Sequence, residues 1–169
     1  MLENGLKERK AVKDIRSIVN SKTVSWFSEA ILYHVFIDRF AGYDPEKNWK
    51  KPVFMGGNLE GISAKADYLS ELGINTLWIS PLFKTDAYHG YHITDFFQPE
   101  PHFGTLEDVR HLLNTYHRKN IRVLLDFVPN HCSVNHPFFQ SALHDRKSQY
   151  RKWFFINSLT GKYLTFLHF

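Results

Sequence analysis

Residues Ile121 to His131 read I-R-V-L-L-D-F-V-P-N-H. The first eight, Ile121 to Val128, form a nearly continuous apolar run rather than an apolar/polar alternation. That is the pattern of a strand buried on both faces, as in a parallel sheet. Pro129 ends the run, and Asp126, Asn130 and His131 leave a carboxylate, an amide and an imidazole at its C-terminal mouth. Together these groups donate and accept hydrogen bonds to a hydroxylated ligand, and Asn130 offers a carbonyl oxygen to a hard cation. The six residues Asp126 to His131 read equally as a strand-end capping turn.

Two runs of the same kind lie upstream, Ile31 to Ile37 (ILYHVFI) and Ile74 to Ser80 (INTLWIS), so that the strand starts fall 43 and 47 residues apart. Between the second and third runs, Thr105 and Asp108 make a capping-box pattern, and Val109, Leu112, Leu113 and Tyr116 follow at helical spacing. A weaker helix is expected from about Ser63 to Leu72, with Ile62, Ala66 and Leu69 on one side and Gly73 as its stop. The order strand, helix, strand, helix, strand is two consecutive βαβ units. These are right-handed by rule, with functional groups beyond the C-terminal strand ends.

Residues 38–61 and 81–104 are expected as loops of over 20 residues, where such connections usually take about two to six. Long loops at that edge of a sheet carry function. The second holds Tyr88-His89-Gly90-Tyr91-His92, in which a ring can stack on a sugar's apolar face while imidazoles meet its hydroxyls. The same cluster also reads as a packed aromatic loop. Asp38-Arg39-Phe40, after the first run, reads foremost as a structural ion pair. From Cys132 to Phe169 the pattern changes to a Pro-led aromatic segment and the apolar tail GKYLTFLHF.

The composition bounds the function. Of 169 residues 43% are hydrophobic and 22% charged, with 15 Phe, 8 Tyr and 4 Trp that serve either as core or as platforms for flat or sugar-like ligands. The net charge of +4 does not point to nucleic acid, because residues 1–23 hold six Lys or Arg against three acids and leave the remainder nearly neutral. Leu2, Leu6, Val12, Ile15 and Val19 in that segment fit a solvated amphipathic helix rather than a membrane-surface one. No stretch approaches the roughly 20 apolar residues of a membrane span. The N-terminus lacks the ~7–15-residue apolar core of a secretory signal, so a cytoplasmic location is expected. The single cysteine, Cys132, excludes an internal disulfide. It reads as a small buried residue rather than a thiol nucleophile. No HExxH, CxxC, P-loop or GxGxxG motif occurs, which leaves no zinc signature and no organic cofactor.

Taken together, ILYHVFIDRF, GGNLEGISAKADYLSELGINTLWISPLF, YHGYHITDFFQPEPHFGT and DFVPNH, in this order, resemble the α-amylase family of glycoside hydrolases over about residues 30 to 169. The flavour is that of its cyclomaltodextrinase and neopullulanase branch. The resemblance implies an α/β fold, the N-terminal part (about three βα units) of a (β/α)8 TIM barrel plus the start of an inserted small domain. Residues 1–29 would be an N-terminal helical segment, 30–131 the first three barrel strands, and 132–169 the truncated beginning of the inserted domain. It also implies retaining cleavage of α-1,4 or α-1,6 glucosidic bonds in starch-derived oligosaccharides. Tyr91 matches a tyrosine that stacks under the sugar at the cleavage subsite, and His89 and His131 match histidines that contact the same sugar. Asp126 matches an aspartate that orients the catalytic end of the barrel, and Asn130 a calcium-ligand position. In the loop after the first strand Asp44, Asn48 and Asn58 are further oxygen donors, although Asn58 stands where Asp often follows the paired glycines.

The family's nucleophile lies in a G-x-R-x-D stretch after the fourth strand, and its acid/base glutamate after the fifth. No aspartate of this chain follows an arginine by two positions. His144-Asp145 imitates a third family aspartate but lies on a helical pattern. A complete barrel needs at least about 200 residues, so these 169 are expected to be a fragment without turnover of its own. An unpaired strand edge would favour its self-association. The alternative is a non-enzymatic relative that binds sugar or a partner chain. A flavodoxin-like domain would need a fourth strand after Val128, which the aromatic Pro-containing segment opposes.

Overall fold

The computed structural model describes residues 25–156 and the backbone of 163–167. The helix expected over Leu2 to Val19 lies outside the described residues, as do parts of the apolar tail. The chain divides into two compact units, Met1–Ile31 and Leu32–Phe169. The described part of the first is a single 3-10 segment, Ser25–Glu29, where the Trp26 and Phe27 rings meet edge to face.

In chain order the second unit runs β1 (Leu32–Val35), α1 (Ile37–Phe40), α2 (Leu59–Ala64), α3 (Ala66–Glu71), β2 (Thr76–Ile79), β3 (Phe83–Thr85), β4 (Ile93–Pro99), α4 (Leu106–His117), β5 (Arg122–Leu125), α5 (Pro137–His144), a 3-10 turn (Arg151–Trp153), β6 (Phe154–Ile156) and β7 (Tyr163–Leu167). The three apolar runs form one parallel sheet in the order β1-β2-β5, with Val35, Ile79 and Leu125 in register at the C-terminal ends. The hydrogen-bond ladder continues past the strands. Ser80 N–H donates to the Val35 carbonyl at 2.9 Å and Asp126 N–H to the Ile79 carbonyl at 3.0 Å, which fixes Asp126 at the mouth of β5.

Alternation sends Val35, Leu77 and Ile79 to one face, where they pack with Ile62 and Leu69 of the short helices and with Leu112 and Tyr116 of α4. The Tyr116 hydroxyl donates to the Ile62 carbonyl at 2.7 Å, so the buried ring also pins α4 to α2. On the other face the His34 ring packs tilted against Trp78, their centroids 4.4 Å apart. The expectation of strands buried on both faces is corrected here. Leu32 is 40% and Trp78 37% exposed on that second face, and Leu125, on the first face but in the edge strand β5, is 43% exposed.

The helix expected from Ser63 to Leu72 begins earlier and is broken. Asn58 caps α2 by accepting the Gly61 N–H at 2.7 Å, and the backbone leaves helical geometry at Lys65 before α3 resumes. Gly73 ends the segment at φ +83°, a left-handed turn that suits glycine. The capping box of α4 is present in full: Thr105 Oγ1 accepts the Asp108 N–H, and Asp108 Oδ2 accepts the Thr105 N–H at 2.7 Å. Residues 81–104 are no plain loop but fold into the antiparallel β3–β4 hairpin, with register shifts on both sides of Lys84. Past β5, Cys132, Phe139, Ala142 and Phe154 build a small second core beneath α5 and the β6–β7 hairpin.

Candidate functional site

The β2 and β5 ends and the turn of the β3–β4 hairpin bring Asp126, Tyr91 and His89 to one place. Gly90 makes this turn possible. It sits at φ +81°, and a Cβ there would lie 2.3 Å from the Pro81 carbonyl oxygen, so only glycine lets the chain pass. The next residue, Tyr91, donates its hydroxyl to Asp126 Oδ2 at 2.8 Å across 35 residues of sequence. Burial, then this hydrogen bond and the Asp126 charge, push the Tyr91 phenol up to about 12. The ring is therefore a neutral, fixed surface at ordinary pH.

His89 is oriented by its neighbour, because its Nδ1 accepts the Tyr91 N–H at 3.1 Å. In the neutral ring the proton then sits on Nε2, leaving a donor free to turn outward. Burial lowers the His89 pKa, helped by His92 and His131 and opposed by Asp86. His131 thus lies close enough to act on the charge of His89, whereas Asn130 is exposed. Of the residues singled out from sequence, Tyr91 and Asp126 are in direct contact, His89 is bonded to the Tyr91 backbone, and His131 acts on the charge of His89.

Asp86 was not singled out from the sequence. It accepts from Ser133 Oγ at 2.5 Å and Asn135 Nδ2 at 2.9 Å, tying the hairpin turn to the segment after β5. The only signal for it was an acidic side chain at the start of the aromatic turn. Asp38 and Arg39 form the expected ion pair at 3.0 Å. Asp38 also accepts the Met55 and Gly56 N–H groups, and Arg39 donates to the carbonyls of Trp49, Lys51 and Val53, so the pair organises the loop before α2. Burial raises the Asp38 pKa, a rise that these N–H groups and Arg39 moderate. Arg39 also lies over the Tyr88 ring, 4.8 Å from its centroid.

The oxygen donors of the loop after β1 are engaged locally. Asp44 and Asn48 each accept a backbone N–H within their own turn, and Asn58 spends its oxygen on Gly61 and its amide nitrogen on the Gly56 carbonyl. Among the described residues no three His, Cys, Asp or Glu side chains gather where a metal could sit. Cys132 is buried, and its thiol is pushed up to about 11, which suits packing rather than nucleophilic attack. His144 is exposed at the end of α5 and pairs with Gln140, while Asp145 closes that helix.

Parallel βα units with a cluster of ring, imidazole and carboxylate at the C-terminal strand ends define part of a (β/α)8-type domain. Residues 34–163 match the model of the α-amylase catalytic domain, and the chain belongs to that family. It is 45% identical over 161 residues to Alpha-amylase 2 of Dictyoglomus thermophilum, covering 90% of this chain and 29% of that protein. It is 39% identical to a cyclomaltodextrinase of a Bacillus species, covering 80% of this chain and 26% of the relative. Among solved structures, the cyclic α-maltosyl-(1→6)-maltose hydrolase of Arthrobacter globiformis, in complex with cyclic α-maltosyl-(1→6)-maltose, superposes with a TM-score of 0.72 at 30% identity, covering 83% of this chain and 35% of that one. The chain thus spans between about a quarter and a third of the length of these relatives.

Proposed function

We propose that this chain supplies the sugar-holding side of an α-glucan hydrolase that cleaves α-1,4 or α-1,6 glucosidic bonds in starch-derived oligosaccharides with retention. The observation that carries this is the Tyr91–Asp126 hydrogen bond, which holds an uncharged aromatic face at the strand ends beside His89. The Tyr91 ring stacks under a glucosyl unit. His89 and His131 hydrogen-bond its hydroxyls, His89 through Nε2 because Nδ1 is engaged. Asp126 orients Tyr91. Retaining hydrolysis also needs two carboxyl groups about 5–5.5 Å apart, as nucleophile and acid/base. Asp126 is committed to Tyr91, and no residue of this chain is assigned either role. Asn130 is the one residue offered to calcium, and no step depends on that ion. In this reading the protein works in the cytoplasm, and neither nucleic acid nor membrane takes part.

Incubation of the 169-residue chain with maltoheptaose is expected to show binding without release of reducing ends, and Tyr91→Ala is expected to abolish that binding. Turnover by pure chain would overturn the assignment of roles; absence of binding would overturn the α-glucan reading. The exposed apolar face and the edges of β1 and β5 are further inferred to drive self-association. Sedimentation showing a stable monomer would contradict this.

A further inference from the structure

An open groove of about 430 Å³ lies between the β3–β4 hairpin and the start of α5, within the size range of small-molecule sites. It shares no lining residue with the cluster of Tyr91, His89, His131 and Asp126. Lys84, Asp95, Phe97, Asn135, His136 and Phe138 contribute to its walls.

His136 is the built element. It is 4% exposed, with its ring held against those of Phe96 and Phe138. Its Nδ1 accepts the Phe138 N–H at 3.1 Å, which leaves the neutral ring's proton on Nε2. Nε2 has no hydrogen-bond partner among the described residues, yet no fully buried side-chain nitrogen or oxygen there lacks a partner. Nε2 is therefore not fully buried, and His136 lines the groove. Burial lowers the His136 pKa, with Asp95 acting against it, so the ring is an uncharged donor at neutral pH.

The rest of the lining matches a flat, neutral, hydroxylated ligand. Phe97 is 76% exposed and presents a bare aromatic face. Asp95 Oδ1 accepts the Phe97 N–H at 2.8 Å, and its carboxylate lines the same groove as an acceptor for a hydroxyl. Lys84 and Asp95 carry opposite charges on the same wall, which removes any preference for an anion such as a sugar phosphate. We propose that this groove is a second carbohydrate site that binds a glucosyl unit of an α-glucan. Phe97 stacks on the sugar, His136 Nε2–H donates to one hydroxyl and Asp95 accepts from another. The inference rests on the α-glucan reading of the Tyr91 cluster for the identity of the sugar.

Titration of the whole chain with maltotriose, followed by amide NMR, tests it. Two separate groups of shifted signals are expected, one around residues 89, 91 and 131 and one around 84, 94–97 and 135–138. Phe97→Ala removes an exposed side chain and leaves the fold intact; it is expected to weaken the second group's response at least about tenfold and to leave the first unchanged. Lys84→Ala, at another exposed position, is expected to have little effect with maltotriose. Shifts confined to the first group would overturn the groove and leave the α-glucan reading standing. Shifts at neither would overturn both, and a stronger response to glucose 6-phosphate than to maltotriose at the groove would overturn the neutral-sugar assignment.

Discussion

Removing a single oxygen from Tyr91 separates its ring from its anchor. Tyr91→Phe keeps the aromatic face and deletes only the hydroxyl that donates to Asp126 at 2.8 Å. A hydrogen bond to a carboxylate contributes about 1.5–3 kcal/mol. Both groups are half-buried, so water recovers part of that loss and about 1–2 kcal/mol remains. Burial first, and this contact after it, push the Tyr91 phenol up to about 12 from near 10. A folded-state pKa above the unfolded one gives stabilisation that is complete below pH 10 and is lost between pH 10 and 12, as phenolate forms beside the carboxylate. Denaturant unfolding at pH 7 of wild type, Tyr91→Phe, Asp126→Ala and the double variant yields their coupling energy, expected near 1 kcal/mol or more. Ultraviolet titration, taken as the difference between wild type and Tyr91→Phe, isolates one of the eight tyrosines, and Asp126→Asn should move it back toward 10. A coupling below about 0.5 kcal/mol together with a Tyr91 titration near 10 would refute the reasoning.

Gly90→Ala places a methyl 2.3 Å from the Pro81 carbonyl at φ +81°. It should cost more than about 2 kcal/mol from the left-handed backbone and the clash together, and should abolish the elevated Tyr91 titration. Thr105→Ala removes half of the α4 capping box; a loss of about 1 kcal/mol and faster amide exchange confined to the first turn of α4 are expected. Tyr116→Phe removes the buried hydroxyl bond to Ile62. Because the Ile62 carbonyl still accepts the Lys65 N–H at 3.1 Å, the unfolding midpoint should register only about 0.5–1.5 kcal/mol.

Local chemistry makes some elements readable in the sequence alone. Thr105 and Asp108 satisfy each other within four residues, and Leu112 and Tyr116 lie one helical turn apart, so α4 was legible in full. The start of α2 was hidden because Gly56, Gly57, Asn58 and Gly61 look like loop, while in the fold Asn58 is a cap and Gly61 donates to it. The β3–β4 hairpin was hidden by its bulged register and by the doublet Phe96-Phe97, which blurs the alternation of β4. The ends of the apolar runs also misled. Ile37 belongs to a helical turn whose N–H is taken by the Ser80 hydroxyl at 3.1 Å, an interaction 43 residues long in sequence. In the site, Tyr91, His89, Asp126 and His131 were named through the family pattern. The bond joining Tyr91 to Asp126 and the anchoring of Asp86 by Ser133 and Asn135 depend on tertiary approach, which no local pattern encodes.

Cys132 provides the molecule with a clock. It is the one cysteine in the chain, it packs with Phe139, Ala142 and Phe154, and a pKa of about 11 leaves only about one thiol in a thousand ionised at pH 8. A disulfide reagent added to native protein must therefore wait for the small second core to come apart. The rate of modification then counts those openings directly, without any engineered label, and a sugar held against α5 and the hairpin should slow the count.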